Sequence, residues 1–546
     1  MSEEKSDEGL AVPREQHRHG QTVDDVLLDE ILSSVKLPGG RRVPNRLVKV
    51  AMYEHLADFY GGPPNDAHFS LYRRWADAKW GMIITGNVQV CKDHLSLGRD
   101  MVVPTTLSEG NIRPFRQLAT VIHGPQPQAP YAPLAIMQLS HCGRQSANVI
   151  GGRTPFSPPL APSAVPLQLS SKSEDIGVVG TLLHKLMFQA PVEMSRKDID
   201  EVVRAFVRGA ELAARSGFDG IELHAGHGYL LSQFMSPKAN LRTDEWSMKH
   251  GDLSLLHHIV TSIRKSEDAS NHLVIGIKLN AADYVNKKQD NVTLSESDLE
   301  RPLLHVIEIA SWGMVDFIEV SGGDYEHPDF MNNKGPTTSQ RQALFADFSQ
   351  RAMQVLEARD REHRPLILLT GGLRTLELLS SALAQRHADL LGIGRMSVIC
   401  PDLPKRLSDH RIRGQTDVSQ SGKMLFPESF ASNSLRFRVE TFLCSYLYFV
   451  WDLIPTPLRP RFPILIGAGV EMAKYIVAMR SLARGNKQPG TSEGIFAVVW
   501  MWLYIAPVGG STLERRVYWA VVGGMAGIYI GIAMLIAWFA IFSSSQ

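Results

Sequence analysis

The chain has 546 residues, a formal net charge of +1 and 44% apolar residues. Charge so close to balance argues against a nucleic-acid partner, and the apolar fraction is that of a globular protein. Four scattered cysteines, Cys91, Cys142, Cys400 and Cys444, form no C-x-x-C pair. That argues against a disulfide framework or a cysteine-bound cluster and fits a reducing compartment.

Residues 1–22 are polar and charged, with no apolar stretch of the kind a secretory signal needs. They read as a disordered tail. From there, short runs rich in Val, Ile, Leu and Met recur: 46–52, 81–88, 134–140, 218–225, 273–280, 315–322, 365–372 and 388–395. Near-continuous apolar runs of this length suit strands buried on both faces. Helical patterns lie between most of them. In "SRKDIDEVVRAFVRGAELAARSG", Ser195 can cap the helix, Asp198 completes a capping box, and Val202, Phe206, Ala210 and Ala213 make an apolar stripe. Gly217 ends the helix as a C′ residue. Eight strands alternating with helices predict an α/β fold, a (β/α)8 TIM barrel over 23–415. The rival is a doubly wound sheet, but no G-x-G-x-x-G follows the first strand. Residues 146–193, rich in Pro, Ser and Gly, show no clear element and read as a long loop over the catalytic end.

Barrel active sites form at the C-terminal ends of the strands. Gly371 and Gly372 follow the seventh run, and Gly394 and Arg395 follow the eighth. Backbone N–H groups freed by glycines, with an arginine, make a phosphate cradle. The middle of the mouth is then left for the rest of a cofactor. Gln138 can donate and accept, matching the alternating edge of a flavin ring. Gly86 allows close backbone approach, and Lys278 supplies positive charge where a reduced flavin gathers negative charge. Taken singly, Gln138 reads equally as a polar strand end and Lys278 as half of a barrel ion pair. The stretch "IELHAGHGYLLSQFMSPKANLRTDEW" (221–246) adds His224, His227 and Tyr229. They could bind a metal, but H-x-x-H without an intervening glutamate is a weak metal signal, and no metal is expected. They could pack as core histidines. The better reading is two donors aimed at a substrate carbonyl, with Tyr229 as a proton donor.

These motifs, with "MQLSHCGRQ", "APSAVP", "IEVSGGDYEHP" and "TGGLRT…ADLLGIGRMSVICPDLP", resemble the old yellow enzyme or NADH:flavin oxidoreductase family over about residues 30–410. The resemblance implies FMN as cofactor, NAD(P)H as hydride donor and reduction of the activated C=C bond of a hydrophobic enone-type small molecule. It implies that residues matching His224 and His227 hold the substrate oxygen, and that the residue matching Tyr229 protonates the α-carbon. Gln138 would meet the flavin pyrimidine edge, Lys278 stands where an arginine is usual, and Gly372, Gly394 and Arg395 would hold the phosphate. The first strand departs from the pattern. It reads "KVAMYE", so Met52 is not preceded by proline, and Tyr53 stands where a small side chain normally touches the flavin. "SMKHGDLSLLHH" also replaces the usual continuation after "RTDEW", at a structural ion pair or an oligomer contact. A flavin isomerase or oxidase on the same scaffold, or a non-catalytic ligand-binding barrel, remains an alternative.

The C-terminal fifth differs in kind. Residues 517–542 contain no charged side chain. As a helix they would reach about 39 Å, enough to cross a bilayer core. Trp519 and Trp538 flank the run as belt residues would. Residues 494–510 could span or lie in the interface. The expectation is a linker with short helices over 416–490 and a membrane anchor over 491–546, one span or a hairpin, with the barrel facing the cytosol and the organelle left open.

Overall fold

The computed structural model describes residues 23–127, 129–168, 178–269, 273–280, 296–321, 337–413, 430, 435–453, 464–503 and 519–520. Eight strands form its centre: β1 (Leu47–Lys49), β2 (Met82–Ile84), β3 (Leu134–Ser140), β4 (Gly220–Ala225), β5 (Val274–Asn280), β6 (Phe317–Ser321), β7 (Leu366–Thr370) and β8 (Leu390–Ile393). Each pairs in parallel with the next in sequence, and β8 pairs with β1, so the sheet closes. Every strand lies inside the run expected for it. Closure excludes the doubly wound alternative.

The barrel interior is graded from apolar to polar, because side chains alternate with a period of two. Inward positions run Leu134, Ile136, Gln138 on β3 and Val274, Gly276, Lys278 on β5, and the lower ones join one interior cluster with Phe317, Leu368 and Leu390. Phe317 fills the centre. A Cβ on Gly276 would lie 2.0 Å from its ring, so the glycine is the space that the phenyl group occupies. The hairpin Val35–Lys36 with Arg42–Val43 brings Leu37 and Val43 beneath this cluster.

Three aspartates tie the lower rim. Asp219, Asp316 and Asp389 each stand just before an even-numbered strand, and each accepts a backbone N–H from the preceding odd-numbered one. These come from Ala135 (2.8 Å), Ile275 (2.9 Å) and Ile367 (2.8 Å). Arg41, Arg264 and Arg364 answer their charges. The runs "FDGIEL", "VDFIEV" and "ADLLGI" thus carry a repeated structural aspartate.

The helix Arg196–Arg215 forms as expected. Ser195 accepts from Asp198 N–H, the Asp198 carboxylate accepts from Ser195 N–H at 2.7 Å, and Gly217 takes a φ of +80°. The described parts of 146–193 carry elements that the composition did not suggest. Leu160–Ala161 pairs in parallel with Val192–Glu193, and Val178–Met187 is a helix.

The C-terminal region departs most from expectation. Leu435–Leu453 and Ile464–Ala483 are helices of 19 and 20 residues rather than short pieces of a linker. Ile464–Ala483 packs on the barrel helix Asp66–Ala76, and Ala473, Ile476 and Met479 join the main core. Its Glu471, Lys474 and Arg480 are incompatible with a lipid-facing span. Gly494–Trp502, expected within the anchor, is a nine-residue helix that buries Phe496, Ala497 and Met501. Among the described residues, no helix is long and apolar enough to cross a membrane. Apart from Trp519 and Ala520, the run 517–542 lies outside the described residues, as does the tail 1–22.

Candidate active site

The polar end of the barrel holds the expected residues together. His224, at the end of β4, is flanked in register by Lys278 on β5, and Lys278 by Glu319 on β6. His227 follows in a left-handed conformation, with φ of +55°, which turns its ring back toward β4. The His224 and His227 rings lie 5.0 Å apart, and those of His224 and Tyr229 4.7 Å apart.

Hydrogen bonding fixes the His224 tautomer. Gly226 N–H donates to His224 Nδ1 at 3.3 Å. Burial, with the charges of His227 and Lys278 adding to it, holds His224 well below the ordinary imidazole range. The neutral ring therefore carries its hydrogen on Nε2, which points at His227 Nδ1, 3.2 Å away. His227 Nε2 lies 3.2 Å from Ser321 Oγ. A ligand oxygen entering here meets a donor that needs no change of charge. Tyr229 is buried, and its oxygen accepts from Asn87 Nδ2 at 3.3 Å. Cys142 is hydrogen-bonded to the same hydroxyl and, through Gln89 Nε2 at 3.3 Å, to Asp100 behind it.

Below the histidines lies a buried polar layer. Gln138 Nε2 donates to Glu222 Oε2 at 2.6 Å, and Lys278 Nζ to Glu319 Oε1 at 2.7 Å. Lys278 is thus an ion-paired cation rather than the lone positive charge that a flavin alone would answer. Burial, then the Glu319 charge, pushes the Glu222 carboxyl up. Two carboxyls thus stand beside one ammonium. A charge inside an otherwise apolar run, as in "FDGIELHA" and "VDFIEVSG", was the available signal for this pair.

The residues expected to form the cradle leave adjacent strands. Gly371 and Gly372 leave β7 with φ of +118° and +76°, backbone that excludes an ordinary side chain. Gly394 and Arg395 leave the adjacent strand β8, which is paired to β7 through Thr370 and Gly392. A Cβ at Gly394 would meet only Val50 Cγ2, at 3.6 Å, so the space above it is open. Met52 and Tyr53 stand half-buried at the end of β1, and the Tyr53 hydroxyl donates to Gly98 O.

Gly86 serves differently from expectation. A Cβ there would lie 1.9 Å from Glu54 Oε2 and 2.4 Å from Met52 O, so the group that approaches it is the chain's own loop. Gly86 N–H donates to Glu54 Oε1 at 2.9 Å and to the Tyr72 oxygen at 2.8 Å, and Tyr72 donates to Glu54. Lys49 lies nearby, over the Trp75 ring at 4.2 Å, its pKa lowered to about 8 mainly by burial. Nothing in the spacing of Lys49, Glu54 and Tyr72 foretold this cluster.

These residues fit a flavin mononucleotide. Left-handed glycines beside open space and an arginine suit its phosphate. Gln138 and the paired Lys278 suit a polar ring edge, and the neutral His224 ring offers a donor at the mouth. Fold and site together define a barrel flavoprotein oxidoreductase. Residues 38–413 match the NADH:flavin oxidoreductase / NADH oxidase family. The NADH-dependent flavin oxidoreductase iliE of Neonectria sp. (strain DH2) is 37% identical over 385 residues, 68% of this chain and 46% of that protein. The NADH-dependent flavin oxidoreductase iccE of Talaromyces variabilis is 34% identical over 388 residues, 69% of this chain and 85% of that protein. Among solved structures, the old yellow enzyme homologue from Zymomonas mobilis is similar with a TM-score of 0.51 at 17% identity, over 70% of this chain and 92% of that one. A 2-naphthoyl-CoA reductase complex is similar with a TM-score of 0.55 at 19% identity, over 70% and 53%. The chain belongs to the NADH:flavin oxidoreductase / NADH oxidase family. It is an oxidoreductase that uses FMN, with NAD(P)H as hydride donor.

Proposed function

We propose that this enzyme reduces the activated C=C bond of a hydrophobic enone-type small molecule. The observation that carries the reading is the group His224, His227 and Tyr229 at one side of the mouth, with its donors set by neighbours. FMN, held by Gly371, Gly372, Gly394, Arg395, Gln138 and Lys278, would supply the hydride chemistry that connects a nicotinamide donor with the β-carbon. The remaining work belongs to side chains. The His224 Nε2–H now given to His227 is available to a carbonyl oxygen, so charge developing there meets a preset donor. Tyr229 gives its phenolic proton to the α-carbon, and Asn87 stabilises the oxygen left behind. The names of the fungal relatives support NADH as the donor. The test is to purify the full chain in detergent, record its flavin spectrum, and follow NADH and NADPH oxidation with a panel of enones. A flavin that is reduced by nicotinamide yet reoxidised only by oxygen would favour an oxidase instead.

The uncharged run 517–542 supports a membrane tether with the barrel facing the cytosol. Retention of the full chain in the membrane pellet after alkaline extraction tests it, and release into the supernatant would refute it.

A further inference from the structure

The C-terminal helices lie beyond the family match at 38–413, yet one of their side chains enters the active-site framework. Arg480, on Ile464–Ala483, is 5% exposed. Its Nη1 donates to Trp500 O at 2.9 Å and Met501 O at 2.7 Å, carbonyls at the end of Gly494–Trp502. A helix C-terminus favours such a cation. Its Nη2 crosses to the barrel, meeting His55 Nδ1 at 2.7 Å and donating to His55 O at 3.1 Å. His55 is three residues after Met52 and holds a φ of +56°, a left-handed conformation uncommon among non-glycine residues. Its ring stands edge-on between Trp502, at 5.3 Å, and Tyr53, at 5.5 Å. On the other side, Tyr53 OH is bonded to Gly98 O. The loop after β1 is therefore held from two directions, and one of them is the C-terminal segment.

We propose that Arg480 is a positioning residue. By clamping His55, it sets the Tyr53 ring at the barrel mouth and so couples the C-terminal helices to cofactor and ligand binding. This rests on the reading that Met52 and Tyr53 line the flavin site. It also assigns a role to Tyr53: a bulky ring is tolerated there because a second structural unit fixes where it stands.

The test is a double-mutant cycle in the full chain between Arg480→Met and Tyr53→Ala, read as the FMN dissociation constant and as the dissociation constant of a simple phenol titrated by flavin absorbance. Each single variant is expected to change at least one of these by about tenfold, the scale of one lost charge-assisted hydrogen bond. In the double variant, the Arg480 change should add less than about twofold to the Tyr53 change. Independent, multiplying effects would show that Arg480 only stabilises the fold, and would overturn the assignment. If Arg480→Met does not accumulate as folded protein, Trp502→Leu takes its place, since it removes the ring on His55 and keeps the guanidinium. The same two outcomes then decide. A parent protein that binds no FMN would instead refute the proposed function, so the two failures are distinguishable.

Discussion

The amide nitrogen of Asn87 lies 3.3 Å from the phenolic oxygen of Tyr229, joining the loop after β2 to the loop after β4 across the barrel mouth. Tyr229→Phe keeps the ring and removes the proton. Reduction of the flavin by NAD(P)H should be nearly unchanged, and reoxidation by an enone should slow roughly 10²–10⁴-fold. Asn87→Ala should slow only reoxidation, by about tenfold, since it removes one donor to the oxygen that has given up its proton. Stopped-flow absorbance at the flavin band resolves both half-reactions. Reoxidation of Tyr229→Phe at the parent rate would move the proton donor elsewhere.

His224 and His227 should act on binding as well as rate. With His224 Nε2 the outward donor, His224→Ala should weaken a phenol ligand by about tenfold or more, the worth of a hydrogen bond to a charged oxygen. His227→Ala should do the same, because it removes the partner that orients that donor. Titration of the flavin absorbance measures both, and phenol affinities equal to the parent's would remove the histidines from the ligand site.

At the cradle, Arg395→Ala and Gly372→Ala should both reduce FMN retention. The first loses a charge-assisted contact, and the second forces a Cβ onto backbone at φ +76°. Affinity should fall about tenfold or more in each case. Flavin fluorescence after gel filtration gives the occupancy, and a full complement in Arg395→Ala would take that residue out of the site.

Gly276→Ala should destabilise the barrel without touching the mouth. Its new methyl would lie 2.0 Å from the Phe317 ring, and overpacking of this kind costs about 1–3 kcal/mol. The midpoint of thermal unfolding should drop. Adding Phe317→Leu should restore part of the loss, because the smaller side chain vacates the space. No recovery in the double variant would mean that the backbone, and not the ring, resists the change.

Burial pushes the Asp100 carboxyl up to about 7, although Ser96 and Gln89 donate to it. Its unfolded value is about 4, so the folded chain holds a proton that the unfolded chain releases between these two pH values. The stability this provides is present below about pH 4 and is lost as pH rises through about 7, at most about 4 kcal/mol. Asp100→Asn should abolish that part of the pH dependence, and unfolding by urea from pH 4.5 to 8 measures it. An unchanged slope would place the titration on another group.

Sequence legibility followed the range of the interactions. Strand positions and the capped helix at Ser195 were legible because period and capping are local properties. His224, His227, Tyr229, Gln138 and the glycine pairs were legible because they sit at strand ends, where a barrel collects its chemistry. Glu222 and Glu319 were partly legible, as charges inside apolar runs. Lys49, Glu54 and Tyr72 were not, because their meeting depends on how the helix Asp66–Ala76 packs on β1. Hydropathy over 494–502 did not reveal that Phe496, Ala497 and Met501 pack against protein, because an apolar helix packed on protein can carry the same composition as one packed in lipid.

The sequence by itself determined the closed barrel, since strand and helix patterns are local in their physics, and its motifs carried the resemblance that identified the family. Only the tertiary structure decided that Lys278 answers Glu319, that Gly86 makes room for Glu54 and that Arg480 reaches His55. Residues 55 and 480 are 425 positions apart, and no local preference records such a pairing. It exists because a buried guanidinium must find acceptors for its N–H groups, and the carbonyls and imidazole that folding brings beside it supply them.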